Sequence, residues 1–161
     1  PNNPNKFVLV VVDHCRKVLL ERGFTLKQAV DKHSEFSVEI RNQFGFSYIQ
    51  IIHLNRSMSD VDKIKYQGDL LYPDGDSIKE SGNLSEDSDY VFTIFNPNDP
   101  KYKLDTHFGL KIKDNNGNDI YPLMKTIHLV ESRHCDYPLH FRVNMKGNLK
   151  SFEQLNINVN K

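Results

Sequence analysis

No stretch of the 161 residues comes near the roughly 20 consecutive apolar residues needed to cross a bilayer, and no signal-peptide pattern opens the chain. Cysteine is scarce. Cys15 and Cys135 stand far apart, which argues against a disulfide framework and predicts reduced thiols in a soluble, cytoplasmic protein. Charge of one sign is missing too: Lys plus Arg and Asp plus Glu both number 21. Contact with nucleic acid or a membrane must then come from a local patch. None of the 8 glycines is followed by lysine, so the chain holds no GxxxxGK[ST] phosphate loop. No internal repeat or low-complexity segment is present. The length predicts a single domain over residues 1–161. Pro1 to Asn5 reads as a loop running straight into a strand, and the chain is expected to be a fragment.

What is there centres on Tyr48-Ile49-Gln50-Ile51-Ile52-His53-Leu54-Asn55-Arg56, an apolar run that turns abruptly polar. That pattern predicts a buried centre strand whose carboxyl end opens into a site, where ligands of open parallel sheets sit. Phe7 to Val12 is a second continuous apolar run, closed by Asp13. Unbroken apolarity predicts burial on both faces under helices. An Asp at such a strand end is a terminator or helix cap on one reading. On the other it is a Walker B carboxylate, holding Mg²⁺ beside a nucleoside triphosphate. Between the strands, Thr25 and Gln28 have capping-box spacing, and Leu26, Val30, His33, Ser37, Ile40 and Phe44 recur at helical intervals before Gly45. The unit is a βαβ crossover.

Residues 57–89 break the pattern with a polar, turn-rich segment too long for an ordinary connection, and read as a long functional loop. Ser77 to Asp89 predicts a short capped helix, and Tyr90 to Phe95 a strand. Gly109–Lys113 and Ile120–Val130 flank Asn116-Gly117 as a predicted hairpin, Leu139–Met145 adds an alternating strand, and Asn156–Lys161 reads as a tail. The expected class is α/β, with a parallel βαβ front and antiparallel carboxyl-terminal strands.

Three segments together resemble the carboxyl-terminal RecA-like ATPase domain of DnaB-type replicative helicases, in a phage-like version. Phe7–Asp13 is similar to the family's Walker B strand. Ser34–Ser57, ending Ile51-Ile52-His53-Leu54-Asn55-Arg56-Ser57, is similar to a helix and sensor strand ending Gln-Leu-Asn-Arg-Ser. Ser77–Asp89 is similar to Ser-Asp-Leu-Arg-Glu-Ser-Gly-Ser-Ile-Glu-Gln-Asp-Ala-Asp. The resemblance implies a P-loop NTPase core fragment of a hexameric ring motor that uses ATP and Mg²⁺ and binds single-stranded DNA in replication. It places Asp13 on the metal side of the nucleotide and His53 at the sensor position. Arg133 matches the finger that a neighbouring subunit offers to the γ-phosphate, a role suited to a permanent guanidinium charge. Lys79, Glu80 and Gly82 fall where the family's loop meets the DNA backbone, with Lys63 and Lys65 as further phosphate contacts.

Three positions depart from that pattern: His53 stands for Gln, Glu131 for Lys, and Lys79 for Arg. In the family the phosphate loop precedes the Walker B strand, so this piece alone should neither bind ATP tightly nor hydrolyse it. Glu131 and His53 leave open a non-catalytic RecA-like module, a helicase loader or recombination mediator. A small zinc-binding protein is a further alternative, since His14-Cys15 and His134-Cys135 offer imidazole and thiolate without the short paired spacing of a structural site. His107, His128 and His140 read as surface or packed histidines. Tyr102 and Phe108 could stack on bases, with core packing favoured for Phe108.

Overall fold

The computed structural model describes residues 6–18, 20–54, 61–78 and 82–155. They belong to two compact units. The first takes residues from 1–55 and 78–88, the second from 56–77 and 89–161.

In the first unit, β1 (Leu9–Asp13) and β2 (Ser47–Ile51) form a parallel pair joined by α1 (Leu26–Phe44). The predicted ends of α1 are where the sequence places them. The Thr25 hydroxyl accepts from the Gln28 backbone N–H at 3.3 Å, and the Gln28 side-chain oxygen Oε1 accepts from the Thr25 N–H at 2.9 Å. At the other end Gly45 adopts φ +69°, a left-handed conformation that glycine takes without Cβ strain. The buried face of α1 is narrower than the periodicity predicts: Ala29, Val30, Ser34 and Ser37 are covered, and Phe44 is exposed. Both serines are satisfied, Ser37 donating to the His33 carbonyl at 2.8 Å and Ser34 to the Asp87 carboxylate at 2.7 Å. Asp87 ends α3 (Gly82–Asp87), whose Leu84 joins Cys15 and Val30 in a small core with Val12, Leu26 and Ile52.

The expectation that both strands are buried on both faces is overturned. Leu9, Val11, Ile49 and Ile51 are all exposed. They alternate with Val10, Val12, Tyr48 and Gln50, which are partly covered, so this pair has one covered face where a continuous apolar run predicts two.

The second unit is built on an antiparallel sheet in the order β3-β6-β7-β8, from β3 (Tyr90–Phe95), β6 (Met124–Ser132), β7 (Leu139–Lys146) and β8 (Ser151–Gln154). β4 (Thr106–His107) and β5 (Leu110–Lys111) form a separate two-residue ladder. Leu71, Phe95, Tyr102, Leu104, Ile112 and Met124 make the core. Tyr102 is therefore a core residue, packed 4.9 Å from Phe95, and not a stacking platform.

Two further expectations change here. The Asn116-Gly117 turn does form, with Gly117 at φ +82°, but it closes only a single bridge between Lys113 and Asp119. The long strand starts at Met124, not Ile120. Asp114 accepts from the Asn116 and Asn118 amides at 2.8 Å each, so this segment folds on its own side chain instead of extending a ladder. The first half of the 57–89 segment carries a helix, α2 (Val61–Gln67), that its turn-forming residues concealed. The expected loop at residues 1–5 and the tail at 156–161 lie outside the described residues.

Candidate functional site

The carboxyl ends of β1 and β2 lie side by side, with Asp13 in register with Ile51. Asp13 is exposed, and among the described residues no hydrogen bond or ion pair engages its carboxylate. The peptide bond that follows it is cis. His14 then caps a 3-10 turn, its carbonyl accepting the Lys17 N–H at 2.9 Å. Cys15 is fully buried, donates to the Gln50 side-chain oxygen on β2 at 3.4 Å, and has its thiol pKa pushed up by burial. Two residues beyond β2, the exposed His53 ring meets His14 edge to face, with centroids 4.5 Å apart and planes at 69°. The chain thus brings together Asp13, His14 and His53, two of which the sequence singles out for one site.

A lone, exposed carboxylate at a strand end suits Mg²⁺, which keeps most of its waters and takes one or two protein carboxylates. Zinc is a poorer fit. Among the described residues no group of three or more His, Cys, Asp or Glu side chains is placed to hold a metal ion. The two His-Cys pairs belong to different units.

Of the predicted DNA-contacting residues, Lys79 and Glu80 lie outside the described residues, and Gly82 opens α3. Lys65 is exposed on α2. Lys63 is not a free cation: its ammonium bonds both Asp74 oxygens at 2.8 Å and the Ser77 hydroxyl at 3.3 Å, with only 17% of its side chain exposed. Burial raises the Asp74 pKa, but the bonds from Lys63 and Ser77 outweigh it and hold the carboxyl below its ordinary value.

Arg133 follows β6 directly and is exposed, its backbone N–H donating to the Asp89 carbonyl at 3.0 Å. The Ser132 hydroxyl accepts from the amides of His134 at 3.1 Å and Cys135 at 3.0 Å, which fixes the turn behind it. The Glu131 carboxylate, half-buried, lies against Gly75, where an added Cβ would come within 2.6 Å of its oxygen.

The sequence reading missed a polar chain inside the second unit. His128 and His140 are register partners across β6 and β7, and their Nδ1 atoms are 2.6 Å apart. His128 Nε2 reaches the Thr126 hydroxyl at 2.8 Å, and His107 Nε2 reaches the same hydroxyl at 3.3 Å. Thr126 and His128 stand two apart on one strand, and that alternation was the one available signal. The register that adds His140 is a tertiary fact.

No family model matches this sequence, and no curated protein matches it. Solved structures do. The chain is similar to a structure described as an ATPase domain, with a TM-score of 0.69 and 15% identity over 96% of this chain and 46% of that one. A DnaB-like replicative helicase, solved with its interactions with primase, is similar with the same score and identity over 32% of its length. The chain therefore spans less than half of each structure it resembles. Its α/β fold is shared with part of that ATPase domain and with part of that DnaB-like replicative helicase.

Proposed function

We propose that residues 1–161 are the carboxyl-terminal portion of a RecA-like ATPase domain in an ATP-dependent, DnaB-type DNA helicase. The motor would be a hexameric ring on single-stranded DNA in cytoplasmic replication. What carries the reading is the position of Asp13 and His53 at the adjacent carboxyl ends of two parallel strands, the place where such sheets hold nucleotides. Asp13 would hold Mg²⁺ through water, and His53 would report the nucleotide state to the DNA-binding segment. Bound Mg²⁺ supplies neutralisation of the charge that develops on the transferred phosphoryl group. Arg133 of one subunit would stabilise that charge at its neighbour's site. Lys65, Lys79, Glu80 and Gly82 would track the phosphate backbone. Lys63, committed to Asp74 and Ser77, would instead brace the segment that leads to them.

The test is ATP hydrolysis by a longer chain that carries a phosphate loop, with and without single-stranded DNA. DNA-stimulated turnover should fall by on the order of a thousandfold in Arg133→Ala. A longer chain that encodes no phosphate loop would end the motor reading. The position of Glu131, two residues from Arg133, favours a second reading as a non-catalytic loader or mediator module. In that case a well-folded chain with an intact phosphate loop turns over negligibly, and Glu131→Lys is the first reversion to make.

A further inference from the structure

His14 has no role in that motor, although it follows Asp13 directly and its ring meets that of His53. Its backbone is held in three ways. It is extended at φ −119° and ψ 160°, its carbonyl accepts the Lys17 N–H at 2.9 Å, and the next residue is buried and bonded to Gln50 of β2. The Nδ1 of its ring is buried, with no hydrogen-bond partner among the described residues. Covered in this way, Nδ1 is turned into the protein and not toward solvent. His53 is the opposite case: it is exposed, and among the described residues no hydrogen bond orients its ring. The ring of His14 at 4.5 Å is the contact that does.

The geometry points to His14 as a positioning residue for His53: a fixed aromatic wall at the end of β1 that sets the orientation of the sensor ring at the end of β2. The coupling is built from two rings in edge-to-face contact, an arrangement that aromatic quadrupoles favour. It makes the sensor depend on the strand that carries Asp13, whatever occupies the site. The functional half of this inference rests on the motor reading, while the geometric half does not.

The experiment therefore has two arms. In the 161-residue chain, the His53 ring protons should carry a ring-current shift in NMR spectra. His14→Phe should retain that shift and His14→Leu should remove it, with circular dichroism showing both variants folded. A His53 signal unmoved by His14→Leu overturns the inference. In the longer chain with a phosphate loop, His14→Leu should lower kcat on the order of tenfold with KM unchanged, and His14→Phe should restore most of it. In a His53→Ala background His14→Leu should add nothing, and an undiminished further loss there overturns action through His53. A wild-type chain without turnover overturns the motor reading, and the spectroscopic arm then decides the geometry by itself.

Discussion

His107 and His128 are fully buried imidazoles that the fold keeps neutral. Burial pushes His107 down to about 4, a shift that the Asp69 carbonyl opposes and the nearby Arg142 charge supports. Burial, followed by the mutual repulsion that protonation beside His140 and His107 would bring, pushes His128 down to about 3. An unfolded histidine takes a proton near 6.5, so their stabilisation is complete above that pH and is lost as pH falls toward the folded values. Between pH 6.5 and 5 each should cost the fold on the order of 1–2 kcal/mol. Urea denaturation across that range should show the loss, and His128→Phe should reduce the pH slope by about one proton. Asp74 runs lower on the scale. Its depressed pKa stabilises the fold above the ordinary carboxylate range and ceases to as pH falls through its folded value. Lys63→Met should cost about 1–2 kcal/mol at neutral pH, discounted for partial exposure, and little in strong acid. A urea midpoint unchanged at neutral pH would return Lys63 to the free cations. His107 and His128 look unremarkable in sequence because a histidine's burial depends on what packs over it, and the packing comes from Tyr72, Phe95 and Phe108, far along the chain.

The elements divide by whether their signals are local. The ends of α1 were legible because a capping box and a glycine C-cap act within four residues, β3 was legible as a short apolar run, and β7 from alternation. Thr25→Ala should cost about 1 kcal/mol and leave the first turn of α1 less protected from hydrogen exchange. Protection equal to wild type would mean that tertiary contacts alone hold that turn. The hairpin signals misled. Asn116-Gly117 forms a turn with almost no ladder, while the tight two-residue turn joins β4 and β5 at Phe108-Gly109, with φ +47° and +71°. A phenylalanine in the left-handed region is strained. It is held there by ring contacts with His140 at 4.3 Å and His107 at 4.8 Å, and by Arg142 donating to its carbonyl at 2.8 Å. Propensity alone would never nominate Phe108 for that position.

At the scale of the whole molecule, both units present an apolar sheet face to solvent. In the first it is Leu9, Val11, Ile49 and Ile51. In the second it runs across Phe92, Ile94, Phe141, Met145 and Phe152. Contiguous apolar surface of this kind drives association. The 161-residue chain should self-associate at micromolar concentrations and bind hydrophobic dyes, and Phe92→Lys with Phe141→Lys should reduce both. A monodisperse, dye-free wild type in sedimentation would show these faces to be satisfied in some other way. By itself the sequence determined the βαβ front, the caps of α1, the placing of Asp13 and His53 at strand ends, and the resemblance that the fold bears out, because all of these rest on local periodicity and short motifs. Tertiary structure alone decided which face of each apolar strand is covered, that Lys63 is spent on Asp74, and that His14 reaches His53 while His107, Thr126, His128 and His140 join in one chain. Those are contacts between residues distant in sequence, and they depend on strand register and packing, which no local pattern encodes.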